Sequence, residues 1–174
     1  MALRDILIAP DPRLKIKAEP VGRVDAAVRA LMDDMLETMY AANGIGLAAP
    51  QIGVSQRVIV MDIAREKEDA PPRPMRIADP EILWASEETV AGEEGCLSVP
   101  EHYADVERPA KVRVRFRDEN DAVQELDCEG LLAVCIQHEM DHLTGTLFVD
   151  HLSSLKRSMI LRKLQKTKRI KAEA

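Results

Sequence analysis

Little in this chain stays apolar for long. No apolar run approaches the roughly 20 residues that span a bilayer, so a membrane-embedded protein is not expected. The opening residues, Met1-Ala2-Leu3-Arg4-Asp5, lack the apolar core and small-residue cleavage site of a signal peptide. A cytoplasmic location is therefore the expectation. Cysteine is scarce and odd in number; three residues make a poor disulfide framework. No linker or repeat interrupts the 174 residues, so a single domain over 1–174 with a real core is expected. Hydrophobic residues at 46% and charged residues at 31% suit a soluble globular chain.

The net charge of −6 conceals an asymmetry. Residues 153–174 carry eight Lys/Arg and one Glu, a balance of +7 that leaves about −13 on the body. A basic helix and tail from about residue 150 to 174 reads either as a solvated face or as a contact for an anionic surface such as RNA. Neither a membrane partner nor sequence-specific nucleic-acid binding is expected.

The pattern along the chain is α+β. Ile6-Leu7-Ile8, stopped by Pro10-Asp11-Pro12, reads as an extended arm lying over the body. Asp25 caps a helix whose Val28, Leu31, Met32, Met35, Leu36 and Met39 recur at helical spacing, and Asn43-Gly44 ends it. The segment Gly44-Ile45-Gly46-Leu47-Ala48-Ala49-Pro50-Gln51 matches a G-x-G-x-x-A dinucleotide fingerprint only superficially. That fingerprint needs a strand before it and a helix after it, whereas here a helix precedes and Pro50 follows. Its glycines instead suit unusual backbone angles and close approach to a ligand. Arg57–Asp62 reads as a buried strand, residues 64–74 as an exposed loop, and Ile77–Trp84 and Glu87–Ala91 as further strands. Val112, Val114 and Phe116 alternate with arginines in a half-exposed strand that pairs, across a turn at 118–121, with Val123–Cys128. Leu152, Leu155, Met159, Ile160 and Leu164 supply the apolar side of a last helix. The predicted architecture is short antiparallel strands wrapped around one central helix, with an N-terminal and a C-terminal helix beside them.

That central helix, beginning near Glu129, carries Gln137-His138-Glu139-Met140-Asp141-His142. Residues i and i+4 share a helix face, so His138 and His142 can grip one divalent metal with Glu139 beside its open side. Chance on a solvated helix is the bland alternative, but this helix is apolar around its histidines and Gly145 can end it. A catalytic metal needs a third protein ligand. Cys96, Cys128, Cys135, His102, His151 and several carboxylates are candidates. Cys135 lies seven residues from His142, about 10 Å along a helix axis, and reads instead as lining the neighbouring pocket. Cys96, between Gly95 and Leu97-Ser98-Val99-Pro100, could reach the helix from a loop or edge, or could be an ordinary small buried residue. Cys128 reads as packing; His102 and His151 read as surface or loop residues.

Three segments together, Gly44–Gln51, Glu94-Gly95-Cys96-Leu97-Ser98 and Gln137–His142, resemble the three signature motifs of the peptide deformylases, in that family's order and spacing. Pro10–Leu14 and Arg108-Pro109 are similar too, and the resemblance runs from residue 3 to about 165. It implies a metal held by Cys96, His138 and His142, with Fe(II) as the native ion and Zn, Ni or Co able to substitute. It implies removal of the formyl group from N-formylmethionine of newly made polypeptides, with release of formate. An amide is a poor electrophile with a poor leaving group, and a bound metal brings a water's pKa near neutrality. Glu139 would then act as base and later as acid. The resemblance assigns oxyanion donation to the Gln51 amide and the Leu97 backbone N–H, with Gly46 as a substrate contact. Ile45, Leu131, Val134 and Cys135, with the His138 ring, become walls of a methionine pocket. Edges near Ile45 and Gly95 could pair with the rest of the substrate. By analogy, Glu94 and Arg108 form an ion pair bracing Cys96. For the basic tail, the resemblance suggests docking at the ribosome.

The chain departs from many relatives at Gly92, which would open the pocket rim. It departs at Asp79-Pro80, which bears on local turn bonding. Tyr103 stands where some relatives carry arginine, which bears on a cationic contact with the substrate. Two other readings remain open at this point. One is a zincin-type metallopeptidase, although no third His or Glu follows at its usual spacing. The other is a non-catalytic metal- or partner-binding domain of the same fold.

Overall fold

The computed structural model describes residues 2–67 and 69–173. Its first helix, α1 (Ala26–Ala41), is capped by the Asp25 carboxylate, which accepts the Val28 N–H at 3.0 Å. All six residues of the expected stripe, Val28 to Met39, are buried. After Asn43, at φ 58°, come β1 (Gly46–Ala48) and β2 (Val58–Met61), joined by a 3-10 turn over Ala49–Ile52. Then follow β3 (Met75–Ala85), β4 (Thr89–Cys96), β5 (Val99–Pro109), β6 (Lys111–Arg117) and β7 (Val123–Glu129). Helix α2 (Gly130–His142) carries the two histidines, and α3 (Ser154–Glu173) closes the chain.

A five-stranded antiparallel sheet runs in the order β1-β2-β3-β6-β7, and β4 and β5 form a separate hairpin. The side-chain alternation of a strand explains how the large sheet feeds two cores. Ile59, Met61, Ile77, Val112, Val114 and Phe116 cluster with Ala133, Ile136 and Leu143 on the α2 side. Val58, Val60, Leu47 and Ala78 cluster with the apolar face of α1. The arginines of β6 stay outside, as the alternation predicts. A third cluster joins the arm residues Leu7, Ile8 and Ala9 to Val99, Val106, Phe148 and Leu164, so the hairpin is packed down by both ends of the chain.

Several expectations need correcting. Residues 99–109 form an 11-residue strand where the sequence pattern predicts no element. Its less exposed positions include His102, Ala104 and Arg108, so no apolar alternation marks it. The segment read as loop from 64 begins with a 3-10 turn, Ile63–Glu66. On α3, Leu155 and Met159 are exposed at 72% and 47%, and the buried contact comes from Leu164, with Ile160 and Leu161 partly covered. Asp79 bonds the N–H groups of Val21 and Gly22 at 2.8 and 2.9 Å, which is local turn bonding. Gly92 does not line the cavity described below.

Candidate active site

Helix α2 is buried on two sides. One side meets the sheet; on the other, His138 and His142 meet the hairpin at Glu94 and Cys96, while Cys135 and Glu139 lie against Ile45 and Gly46. Gln137 ties the helix to the end of β5 by donating to the Pro109 carbonyl at 3.0 Å, and also donates to the Ala133 carbonyl of its own helix at 3.0 Å. The chain leaves α2 at Gly145, whose φ of +77° and packing against the Lys15 backbone leave no space for a Cβ. The β4–β5 hairpin brings Cys96 to this face. Its register breaks beside the turn: Glu94 pairs with Ala104 but Cys96 with Val99, so β5 carries the extra residues.

Donor atoms of Cys96, His138 and His142 lie within 4.8 Å of one another. Cys135 is not part of this group. The Cys96 sulfur lies 3.5 Å from His142 Nε2, 3.5 Å from Gln51 Nε2 and 3.4 Å from the Ser98 N–H. His138 directs Nδ1 at Glu94 Oε1, 2.9 Å away, leaving its other nitrogen to face the group. The His138 ring also stacks on Phe148, with centroids 6.2 Å apart. Burial, with the neighbouring His138, holds the His142 pKa well below the usual imidazole value, which keeps it neutral as a ligand must be. One Glu139 oxygen is buried with no partner among the described residues. Burial pushes the Glu139 carboxyl up to about 7, against the lowering pull of His138 and Arg108. One soft and two imidazole donors around an orphaned buried carboxylate suit a divalent transition-metal ion.

A brace stands behind the donors. Arg108 holds both Glu94 oxygens, at 2.6 and 2.9 Å, and reaches Asp141 at 2.9 Å. His151 Nε2 meets the same Asp141 oxygen at 2.8 Å. Burial alone would raise Glu94, but the bonds from His138 and Arg108 outweigh it and hold the carboxyl at about 2. Glu94 therefore stays charged, fixing the His138 tautomer and ring plane.

In front of the donors opens a cavity of about 470 Å³. Ile45, Leu131, Val134, Cys135, His138, Gly95, Cys96, Leu97, Tyr103, Gly46, Gln51 and Glu139 are among its lining residues. Leu131 is 43% exposed, a rim residue with no core role. Gln51 is oriented from both ends: its oxygen accepts the Ala48 N–H at 2.9 Å, and its nitrogen donates to Ser98 Oγ at 3.0 Å. The Tyr103 ring lies across Gly95, where a Cβ would come within 2.5 Å of it.

These contacts are accompanied by close kinship to known proteins. The family profile described as polypeptide deformylase matches residues 3–158. This chain belongs to that family. A peptide deformylase from Phenylobacterium zucineum is 61% identical over 166 residues, 95% of this chain and 97% of the relative. The crystal structure of peptide deformylase from Ehrlichia chaffeensis superposes with a TM-score of 0.93 at 40% identity, covering 98% of this chain and 99% of that one. The same bacterium's peptide deformylase in complex with actinonin gives 0.92 at 42% identity, covering 97% and 99%. Deformylase kinship decides between the readings that the histidine spacing left open.

Within the deformylase fold, some contributors escaped sequence reasoning. Ser98 holds Gln51, Asp141 and His151 extend the brace, Phe148 backs His138, and Glu66 and His102 line the cavity. His102, expected as a surface or loop residue, sits half-buried on the extra stretch of β5 and lines the cavity. Ser98 and Asp141 lie inside the recognised motifs, which was the available signal; His151 had none.

Proposed function

We propose that this deformylase hydrolyses the N-formyl group from the formylmethionine of newly made polypeptides, with Cys96, His138 and His142 as metal ligands and Glu139 as the proton carrier. The observation that carries this reading is the buried Glu139 oxygen without a protein partner, beside three convergent donors at the base of an apolar-walled cavity. A divalent ion bound there would supply Lewis acidity and a water acidified to near neutrality. Water's oxygen forms the new C–O bond and the formyl C–N bond breaks, leaving formate and a free amine. Glu139 takes the proton from the water and returns it to the departing amine; a carboxyl at about 7 suits both tasks. The Gln51 amide and the Leu97 backbone N–H would donate to the developing oxyanion. Ile45, Leu131, Val134 and Cys135 would hold the methionine side chain. Gly46 and Gly95 would meet the substrate backbone, and Tyr103 would cover it further out. Formate release from formyl-Met-Ala, with an unblocked peptide left intact, is the expected result; peptide cleavage without formate would overturn the reading.

Three finer points belong to the same proposal. Fe(II) is the native ion, with Zn, Ni or Co as substitutes; the donor set suits all of them, so the support is family resemblance. Anaerobic metal content, and activity that decays in air but survives after nickel or cobalt loading, test it. The basic α3, with exposed Leu155, Met159 and Ile170 among its lysines and arginines, contacts ribosomal RNA where N-termini emerge. Unchanged ribosome affinity after removal of residues 156–174 would dispose of that contact. The location that supplies such substrates is the cytoplasm.

A further inference from the structure

The two oxyanion donors come from elements that share no strand ladder. Gln51 lies in the 3-10 turn after β1, and Leu97 in the connection between β4 and β5. A third element touches both. The Leu7 N–H donates to the Gln51 carbonyl at 2.7 Å, and the Ala9 N–H to the Ser98 carbonyl at 2.8 Å. The arm therefore joins the residue that carries one donor to the neighbour of the residue that carries the other. Inside the site, Gln51 Nε2 also bonds Ser98 Oγ at 3.0 Å. Gln51 and Ser98 are thus tied twice, by side chains within and through the arm outside.

The arm is anchored independently at each end. The Ala2 and Arg4 N–H groups bond Asp34 and Thr38 of α1 at 2.7 and 3.0 Å, and the Arg4 guanidinium pairs with Asp34 at 2.8 Å. Ala9 is fully buried, and Leu14, in the 3-10 turn that follows, is 1% exposed. A segment held this way can impose a spacing on the two carbonyls it bonds. We infer that Leu7 and Ala9 are positioning residues, whose backbone N–H groups set the separation of the Gln51 and Leu97 donors for the oxyanion. This rests on the oxyanion roles proposed above. A misplacement of about 1 Å in such donors can cost on the order of a hundredfold in rate.

The test replaces the Leu7 peptide N–H by an ester oxygen in the full-length, zinc-loaded protein, with the same replacement at Ile8 as control. Among the described residues, the Ile8 N–H has no such link. The Leu7 ester should lower kcat for formyl-Met-Ala about tenfold, with KM within about twofold and zinc content unchanged. It should also shift the Gln51 side-chain amide and Leu97 N–H resonances, which the Ile8 ester leaves in place. Unmoved resonances, or a kcat within twofold of the parent, would overturn the inference; so would a loss appearing wholly in KM or in zinc. The resonances report on the arm even if the parent releases no formate, so failure of the arm's role and failure of the proposed reaction are distinguishable.

Discussion

Gly46 and Glu139 touch so closely that residue 46 has no room for a Cβ: the added carbon would overlap the Glu139 carboxylate. The glycine thus sets where the proposed proton carrier can stand. Gly46→Ala should leave metal content unchanged and reduce kcat by roughly ten- to a hundredfold, because the carboxylate must move. Steady-state kinetics with metal analysis checks this; full activity in the alanine variant would separate Gly46 from the chemistry.

Glu139→Gln keeps the shape and removes the charge and the basicity. Metal retention with turnover reduced by at least about a hundredfold is the expected outcome. Appreciable residual formate release would refute the proton-carrying role.

Arg108 is 4% exposed and stands between Glu94 and Asp141. Arg108→Ala leaves a buried carboxylate without its counter-charge, a change of about 3–5 kcal/mol by analogy with other buried pairs. A lower urea midpoint and looser metal binding through His138 are expected. Adding Glu94→Leu should recover part of the stability but none of the metal affinity. If the single variant unfolds at the parent's midpoint, the brace contributes nothing to stability.

Burial holds the thiols of Cys128 and Cys135 in the neutral form, with Cys128 pushed up to about 11. Neutral thiols alkylate slowly. Iodoacetamide at pH 8 should label neither in the folded protein. Cys96 is half-buried and should be labelled once a chelator has removed the metal. Peptide mass mapping of metal-loaded and chelated protein reads this directly; labelling at Cys135 alone would reopen the choice of third ligand.

Much of the architecture is legible in local pattern. The α1 stripe, the alternation of Val112, Val114 and Phe116, and the placement of His138 and His142 on one helix face all follow from periods of 3.6 and 2. The strand Val99–Pro109 was not legible, because its alternation is between polar and small residues and its pairing depends on a break in register at Gly95. Leu155 and Met159 carry the helical spacing of a core face yet stand in solvent, since periodicity says that a face is apolar but not what covers it.

The sequence by itself determined the ligand-bearing helix, the α+β class and, through three motifs taken together, the family. Family resemblance named Cys96 and the Glu94–Arg108 pair; tertiary structure alone decided that Gln51 is held by Ser98 and that the brace runs on from Arg108 through Asp141 to His151. The reason is physical. Helix and strand periods are set by neighbours a few positions apart. The contacts of Cys96 with Gln51 and His142 join positions 45 and 46 residues apart, which only the folded packing brings together.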